Sequence, residues 1–459
     1  MRTGILASAA LAAIALNPAA AQALAPAVPA APVQIPYQSA NLPSASEVSN
    51  FYSTYRVAPI WFSGNAAKPA AVEFIQILQR SPLDGLANGP QYAAQAQAAL
   101  AQAAATGSPQ AIAFADHTLS EALVLYAQAM NRPVQGMTYA YEYMRPKPVD
   151  GSKVLQLASG SPSLESYLHS VSDPNTVYTS IRDAAWQQMQ ASGSAVADPR
   201  VIANLDRARG MPSRGRFVMV NSANQMLYMY QDGQQVGSMK IVVGDNGEHL
   251  KNRPDTRTPL VTSMMFYVIH NPYWNSSDVL TRLNIAPRYA AEGDKYLKGR
   301  GFRVMSDWTN NATEIPASQV DWKGVRAGTV SIRIRQDPGP QNFMGQLKFP
   351  FANPQDIYLH DTDPGDRDLF SLAQRTRSNG CVRLENATGL ATWLLGHQPD
   401  ESIQQAEYPE QLRQGVPIYV TYLTAQPQNG QLTFLNDIYG WDPAGNTRVA
   451  GERKASAGR

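Results

Sequence analysis

Cys381 is the only cysteine in a chain of 459 residues, and His360 is one of six histidines. A single cysteine cannot staple its own fold, so it is either a small buried hydrophobe or a reactive thiol. Its neighbours favour the thiol. Ser378-Asn379-Gly380 immediately before it is turn composition, which presents the sulfur at a bend instead of packing it in a layer. Arg377 and Arg383 flank it, and cationic neighbours lower a thiol pKa that starts at about 8.5.

His360 lies 21 residues earlier, at the end of the apolar run Ile357-Tyr358-Leu359. That run has strand propensity, and a loop of this length can return to bring imidazole and sulfur together. Thiol plus imidazole is the minimal pair for acyl transfer: the sulfur attacks a carbonyl and the imidazole returns a proton to the leaving amine. Backbone N–H groups around Gly380 and Cys381 are candidates for an oxyanion hole. A backbone carbonyl or Asp361 is the candidate to orient His360. A buried cysteine beside a structural histidine is the plain alternative, because a Cys–His coincidence is not specific by itself. No His-x-x-His or His-Glu-x-x-His spacing points to a metal.

Two differently patterned regions surround this pair. From about Asn50 to Met211 the spacing predicts helices, at Ala71–Gln79, Tyr92–Ala105, Thr118–Met130, Lys153–Leu168, Val177–Met189 and Val201–Arg209. The aromatic cluster between Phe51 and Phe62 reads as core. From Arg216 to about Thr424 the pattern is β-rich. Phe217–Asn221, Gln225–Tyr230 and Gly237–Val243 alternate with strand period, with a hairpin turn at Asp232-Gly233. Leu260–His270 and Pro417–Leu423 read as further strands, and Ala387–Leu395 as a helix. Asn342 reads as a turn cap.

Charged residues make up only 16 % of the chain and the net charge is +2, which argues against a nucleic-acid partner. The first residues, Met-Arg-Thr, precede a small-apolar run from Gly4 to Leu16 and an Ala-x-Ala site. That is the layout of a signal peptide over 1–23, cleaved after Ala21 or Ala23. The run falls short of the roughly 20 apolar residues of a membrane span. The expectation is an exported, periplasmic protein with no transmembrane segment in its mature form. Residues 24–46 are rich in Ala and Pro and read as a linker.

Tyr-Leu-His-Asp-Thr at 358–362 followed by Ser-Asn-Gly-Cys-Val-Arg at 378–383 resembles the active-site signature of the L,D-transpeptidases, the YkuD-type catalytic domain. The likeness is to the long periplasmic branch of Gram-negative bacteria and runs over about 216–442. That branch has Ser where this chain has Asn379. The resemblance implies an α+β fold: a helical scaffold domain at 47–211, a mostly β catalytic domain at 212–425 with a helical lid inserted at about 272–321, and a tail at 426–459, disordered from Asn446. It implies that Cys381 is the nucleophile and His360 the base. Gly380, Asn379 and Arg383 would support the site, and Tyr358, Thr362, Ser378, Tyr273 and Trp274 would meet substrate. The implied substrate is the tetrapeptide stem of peptidoglycan. Cys381 would form a thioester with release of D-Ala, and a second stem would take the acyl group in a 3→3 cross-link. No cofactor is implied. Carbapenems would acylate Cys381. Water, a free D-amino acid or a protein amine are alternative acceptors, and a non-catalytic wall-binding protein is the alternative of another class.

Overall fold

A computed structural model describes residues 43–443, except 251–254 and 310. The leader at 1–23, most of the 24–46 linker and the residues from 446 onward lie outside the described residues. Pro43–Tyr55 is already helical (α1), so the last residues of the expected linker open the helical region.

The helices α2 (Pro69–Arg80), α3 (Gly89–Thr106), α4 (Pro109–Met130), α5 (Gly151–Gly160), α6 (Leu164–Ser172), α7 (Thr176–Ser192) and α8 (Pro199–Arg209) follow. α4 starts nine residues before its apolar periodicity does. Pro109 sits in its first turn and the Ser108 hydroxyl accepts from the Ala111 N–H, so the cap sets the boundary. The expected helix at 153–168 is two helices, because Pro162 interrupts it and Ser163 caps the second. α3 buries Ala93, Ala96, Ala99 and Ala103, a face of small side chains that lets its neighbours approach closely. Trp61 is fully buried against Phe74, with ring centroids 5.2 Å apart, and Phe51 is in the same core.

The β region begins with β1 (Arg216–Asn221), β2 (Met226–Gln231) and β3 (Gln234–Gly244). Asp232 and Gly233 both have positive φ, which the tight β2–β3 hairpin requires. The same sheet takes in β4 (Val261–His270), and the chain then leaves it. It forms β5 (Trp274–Ser276), helical turns between Asp278 and Gly299, β6 (Phe302–Met305), β7 (Glu314–Ile315) and β8 (Arg333–Gln336). This insertion has its own four-stranded sheet, in the order β7-β6-β8-β5, and its own core of Ile285, Leu297, Phe302, Val304 and Ile334. It therefore reaches to Gln336, past the expected end near 321. Arg333–Gln336 is one of its two inner strands, and Ile334 completes that core.

The main sheet continues with β9 (Leu347–Pro350), β10 (Tyr358–His360), β11 (Thr376–Ser378), β12 (Val382–Leu384) and β13 (Tyr408–Thr421). Its order is β9-β10-β12-β3-β2-β1-β13-β4, with β11 beside β3. β9 also pairs with β4, so these eight strands close into a ring, with β11 and the short strand Thr138–Tyr139 each paired on one side to it. Val218, Val220, Ile241, Leu359, Val382 and Ile418 are among the side chains that fill it. Asn342 is more than a turn cap. Its buried amide donates to the carbonyls of Pro272 at 3.0 Å and Asp337 at 2.9 Å, tying together the two stems of the insertion.

The chain after β13 returns to the helices. β14 (Ala425–Gln428) and β15 (Gln431–Phe434) form a hairpin, and the Arg200 guanidinium of α8 lies 4.1 Å above the Phe434 ring. Arg207 of α8 donates to the Tyr422 carbonyl at 2.9 Å and to the Asp442 carboxylate at 2.7 Å, with both side chains buried. Replacing one member of a buried pair leaves the other uncompensated, at a cost of about 3–5 kcal/mol. Arg207→Ala should lower the stability measured by urea unfolding by that amount, and a loss under about 1 kcal/mol would contradict the role given to this contact.

Candidate active site

β10 and β12 are each three residues long and run parallel, with Leu359 opposite Val382 and His360 opposite Arg383. Side chains alternate along a strand, so each strand sends one set of residues inward and the other outward. Leu359 and Val382 are fully buried in the core of the sheet. Tyr358 and His360 therefore face the other way, alongside Arg383 and Cys381, which stands one residue before β12. All four line a cavity of about 1200 Å³.

The turn that presents Cys381 is strapped on several sides. Gly380 has φ +118°, a conformation that other residues rarely adopt. Its carbonyl accepts from the Thr258 hydroxyl at 2.8 Å, and the same hydroxyl accepts from the Gly244 N–H at 2.8 Å. The Ser378 hydroxyl donates to the Cys381 carbonyl at 2.5 Å and accepts from the Gly380 N–H at 3.1 Å. The Gly380 N–H is thus engaged within the turn and not turned toward the cavity as expected for an oxyanion donor. The buried Ser378 side chain holds the turn.

The expected thiolate is not the resting form. Cys381 is half-buried by surface, but its surroundings exclude enough water to push its pKa up. Hydrogen bonding from Tyr358 and the charges of Lys348 and Arg383 oppose that shift without cancelling it. Arg377 takes no part: it reaches His249 at 2.6 Å. His360 is buried, and burial followed by the nearby Arg383 charge lowers its pKa to about 3. The pair at neutral pH is therefore thiol and neutral imidazole. Unfolded histidine titrates near 6.5. Below that pH the unfolded chain takes up this proton first, so His360 makes the fold progressively less stable as pH falls from about 6.5 toward about 3.

Asp361 does not orient the ring. One carboxylate oxygen accepts from the Gln346 N–H at 3.1 Å and the other pairs with Arg367 at 2.8 Å. The buried His360 Nδ1 closes no hydrogen bond of good geometry, although the backbone of Asp361 and Met344 favours the protonated ring.

The remaining expected residues divide. Tyr273, Trp274 and exposed Asn379 line the cavity. Trp274 also packs on Phe343 and Phe302 at centroid distances of 4.9 and 5.9 Å, at the base of the insertion. Thr362 is buried and its hydroxyl donates to the Leu384 carbonyl at 3.1 Å, so it closes the β10–β12 end instead of meeting a ligand. Arg383 pairs with Asp366, in the connection between β10 and β11, and still lines the cavity. Sequence reasoning missed Thr258, Lys348, Arg288 and Arg300. Thr258 stands in Arg-Pro-Asp-Thr-Arg-Thr-Pro at 253–259, a run that can be noticed in the sequence, but its bond to Gly380 spans 122 positions. Lys348 lies 4.8 Å above the Tyr358 ring and 3.8 Å from Glu407.

A raised thiol pKa has a measurable signature. The midpoint of the pH dependence of Cys381 alkylation by iodoacetamide should lie above that of a free cysteine, about 8.5, so that the rate is less than half-maximal at that pH. A rate already flat between pH 6 and 9 would show a preformed thiolate.

Residues 215–420 match the YkuD family model, the L,D-transpeptidase catalytic domain, and residues 46–184 match the Scaffold domain model. The chain is 24 % identical over 416 residues to a putative L,D-transpeptidase of Haemophilus influenzae, covering 86 % of this chain and 78 % of that protein. Two solved structures are also similar. An L,D-transpeptidase from Mycobacterium smegmatis shares 11 % identity at TM-score 0.21, covering 45 % of this chain and 58 % of that one. An L,D-transpeptidase from Xylanimonas cellulosilytica shares 17 % identity at TM-score 0.19, covering 52 % and 78 %. With the 358–362 and 378–383 motifs on neighbouring strands of the β region and a helical domain before it, the chain joins an L,D-transpeptidase catalytic domain of the YkuD family to a Scaffold domain.

Proposed function

We propose that the protein is a peptidoglycan L,D-transpeptidase that forms 3→3 cross-links through a Cys381 thioester. The observation that supports this most is the placement of Cys381 and His360 on one face of paired strands, on the floor of a cavity that the insertion roofs. His360 is the base and Cys381 the nucleophile. As the sulfur attacks the carbonyl between the L-centre of diaminopimelate and the terminal D-Ala, its proton passes to the neutral imidazole. The C–N bond breaks and D-Ala leaves with that proton. The side-chain amine of a second stem then attacks the thioester. The sulfur leaves and recovers a proton through His360.

The neutral resting pair suits this sequence. A thiol that is not ionised is protected from adventitious electrophiles, and the charge separation develops only when a carbonyl is in place. Tyr358, Lys348 and Arg383 supply positive potential and a hydroxyl where negative charge grows. The insertion acts as a lid that keeps water from the thioester while the amine arrives. The substrate lies in the cell wall, so this reading places the mature protein in the periplasm. Among the described residues no helix is long and apolar enough to cross a membrane.

Tetrapeptide-rich muropeptides incubated with the mature protein should yield a dimer lacking one D-Ala, read by mass spectrometry. Cys381→Ala should abolish the product, and His360→Ala should slow it by about 10²-fold or more. Tripeptide without dimer would replace the transpeptidase reading with a carboxypeptidase. A carbapenem should add its mass once to the intact chain and not to Cys381→Ala, since a strained β-lactam carbonyl meets the same nucleophile. An unchanged mass would count against an assembled site.

A further inference from the structure

The cavity above Cys381 is large. Its volume of about 1200 Å³ exceeds the roughly 300–1,000 Å³ of an ordinary small-molecule site. Four cations line it, Arg288, Arg300, Lys348 and Arg383, against a single acidic side chain, Asp356. The two cations of the floor have partners: Lys348 faces Glu407 at 3.8 Å and Arg383 pairs with Asp366. The two from the insertion differ. Among the described residues neither the Arg288 nor the Arg300 guanidinium has a carboxylate partner, and Asp363 feels the Arg300 charge without an ion pair forming. Each lies near an aromatic ring, Arg288 at 5.8 Å from the Tyr296 ring centre and Arg300 at 5.7 Å from that of Phe343. The Arg300 backbone is fixed as well, its carbonyl accepting from Gln336 at 2.9 Å. Within the insertion Arg303 pairs with Asp337 and Arg333 with Asp278, while Arg335 lies over the Tyr273 ring at 4.4 Å and does not line the cavity.

A guanidinium without a carboxylate partner keeps its planar donors available for a two-pronged contact with a carboxylate. Two such groups, unpaired and turned into the cavity, form a site for an acidic peptide. The donor carbonyl has to lie on the floor, against Cys381 and Tyr358. The roof is left for the second peptide.

We propose, resting on the transpeptidase reading above, that Arg288 and Arg300 hold the carboxylates of the acceptor stem and so orient its amine toward the thioester. They are specificity-determining residues supplied by the insertion. The acceptor class is a peptide with free carboxylates at its diaminopimelate end, and amidation of those carboxylates removes the contact.

The test compares binding of a tripeptide stem with free diaminopimelate carboxylates and of the same peptide amidated, by calorimetry on the full mature chain carrying Cys381→Ala. The free acid should bind at least 10-fold tighter. In Arg288→Gln/Arg300→Gln on the same background that ratio should fall toward one, with an unchanged melting temperature, and Arg→Lys at both positions should recover part of it. No preference in the parent chain, or a preference that survives the double variant or either single variant unaltered, would overturn the proposal. Cross-linking by the wild-type chain is measured separately. If no dimer forms while the arginine-dependent preference holds, the transpeptidase reading fails and the carboxylate site stands. If dimer forms equally from amidated and free acceptors, the site is refuted and the transpeptidase reading survives.

Discussion

The site depends on the parallel, in-register pairing of Tyr358–His360 with Val382–Leu384. A slip of one residue would send His360 into the hydrophobic interior and Leu359 into the cavity, because strand side chains alternate. Leu359 and Val382, both fully buried, prevent that slip: their burial pins the register that exposes the polar set. The sheet closes through the β9–β4 pairing, so β10 lies between β9 and β12 and cannot fray toward solvent. Parallel neighbours need a long connection. Here it is the loop from Asp361 to Arg375, fastened by Arg375 to the Ile241 and Gln225 carbonyls at 3.1 and 2.9 Å.

Enclosure sets the electrostatics. The same exclusion of water that pushes the thiol pKa up pulls the imidazole pKa down, since burial disfavours whichever form is charged. Flanking arginines would favour a thiolate in water. In the folded chain Arg377 is directed to His249, Arg383 also pairs with Asp366, and burial outweighs the remaining cationic charge. Cys381 and His360 therefore rest as a neutral pair, not as a preformed ion pair.

Support for the turn that carries Cys381 reaches far along the chain. Thr258 holds the Gly380 carbonyl, and Tyr439, near the C-terminus, donates to the Gly244 carbonyl at 2.7 Å and accepts from the Thr258 N–H at 3.4 Å. Tyr439 stacks with Tyr422 and meets Trp441 edge-on. The carbonyls of Tyr422 and Trp441 and the carboxylate of Asp442 accept from Arg207 of the helical domain. A continuous set of contacts thus runs from α8 through the C-terminal segment to the turn that carries Cys381.

Local pattern determined much of this protein. The opening strands and their hairpin, the helices α2, α7 and α8, and the signature residues at 358–362 and 378–383 are legible because each rests on short-range alternation, capping or turn chemistry. Pro162 breaking one predicted helix and Ser108 starting another early are also local effects that a closer reading of caps would find. Other features required the tertiary structure. The strand at Arg333–Gln336 exists because Ile334 fills a core made by Ile285, Leu297, Phe302 and Val304, which no window of sequence contains. Thr362 looked like a ligand contact until the fold placed the Leu384 carbonyl beside its hydroxyl. The protonation of Cys381 and His360 was decided by burial, and burial is a property of what packs around a residue, not of its neighbours in the chain.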